Sequence, residues 1–244
     1  MMIDSHFHPA LLAAGWQPSE VLVGGLAVTT RPSEWSLALA FVKELSSNWH
    51  CALGLHPWFA DGVVDWQVFE NLLVDNIGVA IGEIGLDGSE GHPVAQVQRA
   101  VFQRQLHYAR EYGRLLSLHL VNDREQGYQL IRSMKGLNGG LVHAFTGSLV
   151  QAQAWQALGF HLGIGPRLLT PLTDKRRQLL RSLDIRMIQL ESDAPLVNSR
   201  FQLVSPNELL PYLGLLASVL DLSVESLSQQ LYVNWCQLWG LPDE

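Results

Sequence analysis

The chain has 244 residues, 48% of them hydrophobic and 16% charged, so it can bury one large core without dividing into several domains. Its formal net charge of −7 argues against a broad basic surface for nucleic acid, because such a surface needs many Lys and Arg residues to neutralise phosphates. The chain has two cysteines, no signal-peptide pattern at its start and no apolar run near the roughly 20 residues of a membrane helix. It is therefore expected to be a cytoplasmic, single-domain protein (residues 1–244) without a membrane span.

Short apolar or β-branched runs alternate with longer stretches of helical spacing, which is the pattern of repeated strand–helix units. Eight such units in about 250 residues favour a closed parallel (β/α)8 TIM barrel, in the α/β class, over an open α/β sheet. The predicted strands are Ile3–His8, Val21–Val28, His50–His56, Val79–Ile84, Leu115–His119, Gly140–Phe145, Phe160–Ile164 and Met187–Glu191. The predicted helices are Pro32–Ser46, Asp65–Asn76, Val94–Tyr112, Asp123–Met134, Ser148–Leu158, Asp174–Leu183, Pro206–Leu220 and Ser223–Leu238.

The first predicted strand ends with two histidines, His6 and His8, that are two residues apart. Alternate residues of a strand point the same way, so both imidazoles can reach one metal ion. An isolated His-x-His pair is also common in strands that bind no metal. The pair therefore indicates a metal site only together with other ligands.

Four more candidate ligands stand at the carboxyl ends of predicted strands. Glu83 follows an apolar run, where a buried carboxylate is costly unless it meets a cation; a salt bridge at the barrel rim is the other interpretation. His119, His143 and Asp193 close the fifth, sixth and eighth strands. These ends meet at one face of a TIM barrel, where barrel active sites are built. Six nitrogen and oxygen donors without thiolates suit Zn²⁺, Mn²⁺ or Mg²⁺, and Glu83 is placed to bridge two ions.

Ordered motifs run along nearly the whole chain. They are DSHFHP from Asp4, ALGLHPW from Ala52, AIGEIGLD from Ala80, QRAVFQRQLHYAREYGRLLSLH from Gln98, VHAFTGS from Val142, GIGPRLLT from Gly163, LESDAP from Leu190 and NWCQLWG from Asn234. Together they resemble the TatD family of metal-dependent deoxyribonucleases, within the amidohydrolase-like TIM-barrel hydrolases. The resemblance implies a metal-dependent hydrolase of ester bonds that cleaves phosphodiesters, with DNA or another phosphodiester as its partner and a monomer as its expected state.

The resemblance also implies how two divalent ions are held. It places His6, His8 and Asp193 on one ion, His119 and His143 on the other, and Glu83 between them. We interpret Asp193 as the acceptor of the proton from the attacking water, with Glu83 as the second catalytic residue.

Three neighbours complete the predicted site. His56 resembles a family position that lines the pocket, and Trp58 offers a ring on which a base can stack. Glu191 is either a support for a metal ligand or a rim salt bridge. The basic stretch 175–181 is more readily interpreted as a solvated helix face than as a nucleic-acid contact.

The chain departs from the family pattern at three places. Val121 stands where the family often has a basic residue, residues 88–92 replace aromatic ones, and the stretch after Pro195 is short, with Arg200 as its basic residue. An arginine can form two hydrogen bonds to a phosphate and valine cannot. Two alternatives therefore stay open: hydrolysis of a carboxylic ester, amide or small phosphoester, and a catalytically silent metal-binding partner protein.

Overall fold

A computed structural model describes residues 1–122, 124–197 and 202–242. Within these ranges, eight strands form one parallel sheet in which each strand pairs with the next in chain order. They are β1 (Met2–Phe7), β2 (Leu22–Val28), β3 (Trp49–Leu53), β4 (Ala80–Asp87), β5 (Leu116–Val121), β6 (Gly140–Val142), β7 (Phe160–Ile164) and β8 (Ile188–Leu190). A short antiparallel pair follows, β9 (Leu196–Val197) and β10 (Gln202–Leu203).

Helices fill the connections and pack around the sheet. The α-helices are α1 (Trp35–Lys43), α2 (Trp66–Asp75), α3 (Ala95–Glu111), α4 (Arg124–Ser133), α5 (Leu149–Ala157), α6 (Pro166–Leu169), α7 (Asp174–Ser182), α8 (Leu210–Val219) and α9 (Val224–Trp239). Single 3-10 turns lie at Pro9–Leu11, Pro32–Glu34, Pro57–Phe59, Ile185–Met187 and Pro206–Glu208.

The sheet closes between β1 and the residues that follow β8. The Asp193 amide donates to the His6 carbonyl (2.9 Å), and the His8 amide donates to the Ala194 carbonyl (2.8 Å). Phe7 and Ala194 form a parallel bridge between these bonds. The predicted TIM barrel is therefore confirmed, and the alternative of an open sheet is wrong.

The core lies between the strands and the surrounding helices. One large cluster of buried side chains includes Phe69, Phe102 and Phe160, which have no exposed surface. A smaller cluster around Trp235 of α9 joins that helix to the strands. Burial of one such large apolar side chain contributes about 1.5–3 kcal/mol, so the helices hold the barrel mainly through these contacts.

The structure differs from the predicted elements at a few ends. β4 continues to Asp87 because Asp87 pairs with Val121 of β5. β6 stops at Val142, since Ala144 turns the chain into the left-handed region (φ 47°). Helix α6 and the β9–β10 pair were not predicted, because each is too short to show periodicity. Asp123, the predicted start of the fourth helix, and Arg200 lie outside the described residues.

No single helix among the described residues is long and apolar enough to span a membrane. The segments Pro206–Val219 and Val224–Trp239 satisfy the test of length and composition only as a pair, bent by 103°. Their apolar side chains, such as Leu216 and Leu227, are buried in the core.

Candidate metal centre

The two histidines of the first motif reach the top of the barrel from β1. His6 is fully buried, and its Nδ1 lies 3.1 Å from Ser117 Oγ on β5. Its other ring nitrogen, Nε2, forms no hydrogen bond with any described residue and lies 3.5 Å from Glu83 Oε2. A buried nitrogen without a partner is costly, which fits an atom whose partner is a metal ion. His8 Nε2 lies 3.6 Å from the same oxygen of Glu83 and 3.4 Å from Asp193 Oδ1.

Glu83 stands at the centre of the imidazoles. Its Oε2 atom faces the histidines of β1. Its Oε1 atom faces ring nitrogens of three further histidines, His119 (2.7 Å), His56 (3.6 Å) and His143 (3.9 Å). Burial raises the pKa of the Glu83 carboxyl, but the surrounding histidines, led by His56 and His6, outweigh burial and hold the pKa well below its usual value. Glu83 is therefore an ionised carboxylate, able to bind cations on both sides.

Asp193 reaches the centre from an unusual backbone conformation. It lies in the left-handed region (φ 58°), which costs an L-residue about 1–2 kcal/mol and which aspartate tolerates better than most. Buried Asp4 holds the preceding residue: its Oδ1 accepts from the Ser192 amide (2.9 Å) and its Oδ2 from the Ser192 hydroxyl (2.5 Å). Burial raises the pKa of the Asp193 carboxyl, but His143 and His8 outweigh burial and lower it.

His143 is supported from behind by Glu191. Glu191 Oε1 lies 3.0 Å from His143 Nδ1 and accepts from the Ala144 amide (2.7 Å). Burial lowers the pKa of His143, but Glu191 and Asp193 outweigh it and raise the pKa to about 10. Gly163 of β7 leaves room for this carboxylate, because a side chain there would collide with Glu191. Glu191 is 1% exposed, so it lies beneath the site and not at the rim.

His119 is held at both ring nitrogens. Nδ1 contacts Glu83, and Nε2 lies 3.0 Å from Asp87 Oδ2, which also accepts from Trp58 Nε1 (2.7 Å). The Trp58 ring is 47% exposed and stacks on His92 at 4.7 Å. His56 Nδ1 accepts from the Trp58 amide (3.1 Å), which directs His56 Nε2 towards Glu83.

These residues fit divalent metal ions. Donor atoms within 4.8 Å of one another form three groups in the described chain: His6, His143 and Asp193; His6, His8 and Glu83; and His56, Glu83 and His119. All six predicted ligands are among them, and His56, predicted to line the pocket, also offers a ligand atom. Imidazole and carboxylate donors suit Zn²⁺ or Mn²⁺. The division of the ligands between two ions stays a prediction.

A pocket of about 470 Å³, here called the site pocket, opens above His119 and His143. Three arginines line it: Arg124, Arg167 and Arg176. Arg167 Nη2 lies 3.4 Å from Asp193 Oδ2, and so belongs to the metal centre directly. Among the described residues that line the pocket, the three arginines outnumber the one carboxylate, that of Asp87, although the protein as a whole is acidic.

Sequence reasoning missed several of these residues. Asp4 is two residues before His6, and Asp87 is four residues after Glu83. Residues an even number of positions apart on a strand point to the same side, so this spacing could have indicated both aspartates. Arg124 occupies the first position of α4, three residues beyond Val121, and no strand or helix pattern marks it.

A closed parallel barrel with imidazoles and carboxylates gathered at the carboxyl ends of its strands defines a metal-dependent hydrolase of the TIM-barrel class. The family model described as TatD related DNase matches residues 3–240. The chain therefore belongs to this family of metal-dependent hydrolases, as its motifs predicted.

Individual relatives agree with this assignment. An uncharacterized metal-dependent hydrolase of Escherichia coli K12, YjjV, is 29% identical over 177 residues, which are 71% of this chain and 68% of that protein. The crystal structure of YjjV superposes with a TM-score of 0.83 at 25% identity, covering 99% of this chain and 98% of that one. A protein of Edwardsiella piscicida named 3'-5' ssDNA/RNA exonuclease TatD is 29% identical over 185 residues, 71% of this chain and 68% of that protein.

Proposed function

We propose that this metal-dependent hydrolase cleaves phosphodiester bonds in single-stranded nucleic acid, with DNA as the expected substrate. The observation that carries the proposal is the placement of Arg124, Arg167 and Arg176 in the lining of a pocket that also contains two of the candidate metal ligands, His119 and His143. Relatives named as ssDNA/RNA exonucleases support the same substrate class.

The arginines favour a phosphate over a carboxylic ester or an amide. A guanidinium group presents its N–H donors in a plane that matches two phosphate oxygens at once. A carboxylic ester or amide has a neutral carbonyl, which gains much less from several cations. Val121 leaves one family position without a basic side chain, and Arg124 supplies a guanidinium to the same pocket from the start of α4.

Divalent ions held by the cluster would stabilise negative charge on the phosphate oxygens and lower the pKa of water. The protein's own part is positioning and proton transfer. Asp193 accepts a proton from the attacking water as the water oxygen bonds to phosphorus. The phosphorus–oxygen bond to the leaving sugar then breaks, and that oxygen takes a proton from solvent. Arg167, 3.4 Å from Asp193 Oδ2, fixes the carboxylate, and its place in the lining of the site pocket would let it bind a phosphate oxygen.

The test compares a single-stranded deoxyoligonucleotide, bis(4-nitrophenyl) phosphate and 4-nitrophenyl acetate with Mn²⁺, Mg²⁺ or Zn²⁺ added to metal-stripped protein. We expect metal-dependent cleavage of the first two. Asp193→Asn should lower kcat/KM by about 10²–10⁴, whereas Asp75→Asn, an exposed residue of α2, should not. Turnover of the acetate ester without phosphodiester cleavage would refute the proposal, and absence of any turnover would favour a silent metal-binding protein.

A further inference from the structure

A second cavity, here called the outer pocket, adjoins the site pocket between the β6–α5 connection and α7. Its volume is about 520 Å³, within the range of small-ligand sites. Arg124, Thr146 and Arg176 line both pockets and so stand on their common boundary. The two pockets therefore lie side by side with these residues between them, and together they are called the groove.

The outer pocket is suited to negative charge. Besides the two boundary arginines it is lined by Lys175, and no carboxylate is among the described residues that line it. Ser148 and Thr173 also line it, and their hydroxyls accept from backbone amides as the N-caps of α5 and α7. Three cations in the described lining of the outer pocket are a local departure from a chain whose formal net charge is −7.

The boundary arginines are held by neutral partners. Arg124 donates from Nε to the Leu120 carbonyl (3.2 Å) and from Nη2 to the Thr146 hydroxyl (2.6 Å). Arg176 donates from Nη1 to the Pro171 carbonyl (2.8 Å). These bonds fix the guanidinium groups without neutralising their charge, so both keep their attraction for an anion.

The basic stretch of α7 is therefore divided between two roles. Lys175 and Arg176 line the groove. Arg181 donates instead to the Val219 carbonyl (2.8 Å) and pairs with Asp221, while Arg177 lines neither pocket. The predicted solvated face agrees with the exposure of this helix, since Arg176 is the only one of its four basic residues that is not exposed.

From this groove we infer that the outer pocket receives the nucleotide next to the one being cleaved, and that Arg124 and Arg176 hold a phosphate on the boundary between them. The inference rests on the proposed function, to which it adds a binding site for the neighbouring nucleotide of the strand. Cationic grooves that follow the backbone are the usual means of binding single strands.

The test measures binding of thymidine oligonucleotides of one to six residues to Asp193→Asn protein with Mn²⁺ added, because this variant should cleave them at least about 100-fold more slowly. We expect affinity to rise at least tenfold between the mononucleotide and the trinucleotide. Arg176→Gln and Lys175→Gln should each remove much of this gain. Arg176→Gln should also reduce the slope of log affinity against log salt by about 0.7, the value for one phosphate contact on a single strand. Arg177→Gln, on the same helix but outside both pockets, is the matched control.

The inference fails if affinity does not depend on length, or if Arg177→Gln matches Arg176→Gln. Cleavage of bis(4-nitrophenyl) phosphate by the protein with native Asp193 separates the two proposals, because this small diester needs only the site pocket. Diester cleavage without a length effect overturns the outer pocket alone. Length-dependent binding without cleavage of either the diester or the oligonucleotides overturns the proposed function, and with it the assignment of the outer pocket to the nucleotide next to the one being cleaved.

Discussion

The stability of this protein should fall in mild acid because His161 is buried in a neutral form. His161 lies on β7, is 7% exposed, and has Gln189 Nε2 at 3.4 Å from its Nδ1. Burial lowers its pKa from the ordinary value of 6.5 to about 4. Below pH 6.5 the unfolded chain takes up a proton that the native state does not take up until about pH 4. The free energy of unfolding therefore decreases as the pH falls through this window.

The size of the effect follows from the two pKa values. Between pH 7 and pH 5 the proton linkage amounts to about 2 kcal/mol. For a chain of this length, that free energy corresponds to a fall in Tm of about 4–8 °C. His161→Gln keeps a polar side chain but cannot titrate. We expect the variant to lose about 2 kcal/mol less stability than the unsubstituted protein over the same pH interval.

The assay is thermal and urea unfolding of both proteins at pH 7 and pH 5. His107→Gln, at an exposed position of α3, is the matched control for replacement of a histidine by glutamine. If His161→Gln loses as much stability as the unsubstituted protein, His161 is not neutral in the native state and the reasoning is refuted.

Two further predictions concern packing and metal binding. Gly163→Ala should lower the free energy of unfolding by about 1–3 kcal/mol, because the added methyl group collides with Glu191. Gly214→Ala, in open space on α8, should raise the free energy of unfolding by up to about 1 kcal/mol. Equal Tm values for the two variants would contradict this prediction. Mn²⁺ added to metal-stripped protein at 100 times the dissociation constant of the ion should stabilise the native state by about 2.7 kcal/mol. A Tm that does not change when EDTA is added to the metal-loaded protein would show that no metal binds the native state.

The barrel was predictable because its pattern repeats. Every strand of a parallel barrel is short and apolar, and each is followed by a helix. The pattern of one such unit is weak evidence, but eight units in succession all indicate the same fold. The ends of strands were less predictable. β6 stops early because of the backbone turn at Ala144, and β4 continues because Asp87 finds a partner on β5. Such effects depend on contacts between elements and leave no local pattern.

The metal centre was predictable for a related reason. Histidines and acids at strand ends must share one face, so His6, His119 and Asp193 could be grouped without coordinates. The pocket above them was not predictable. Arg124 and Arg167 come from a helix start and a four-residue helix, whose directions depend on packing.

Closure of the barrel and assembly of the site depend on the same few bonds. The Asp193 amide bonds to the His6 carbonyl, and Asp4 holds Ser192 beside it. These contacts join residues nearly 190 positions apart. A chain emerging from the ribosome therefore cannot bring His6 and Asp193 to a common ion until its eighth strand has been made.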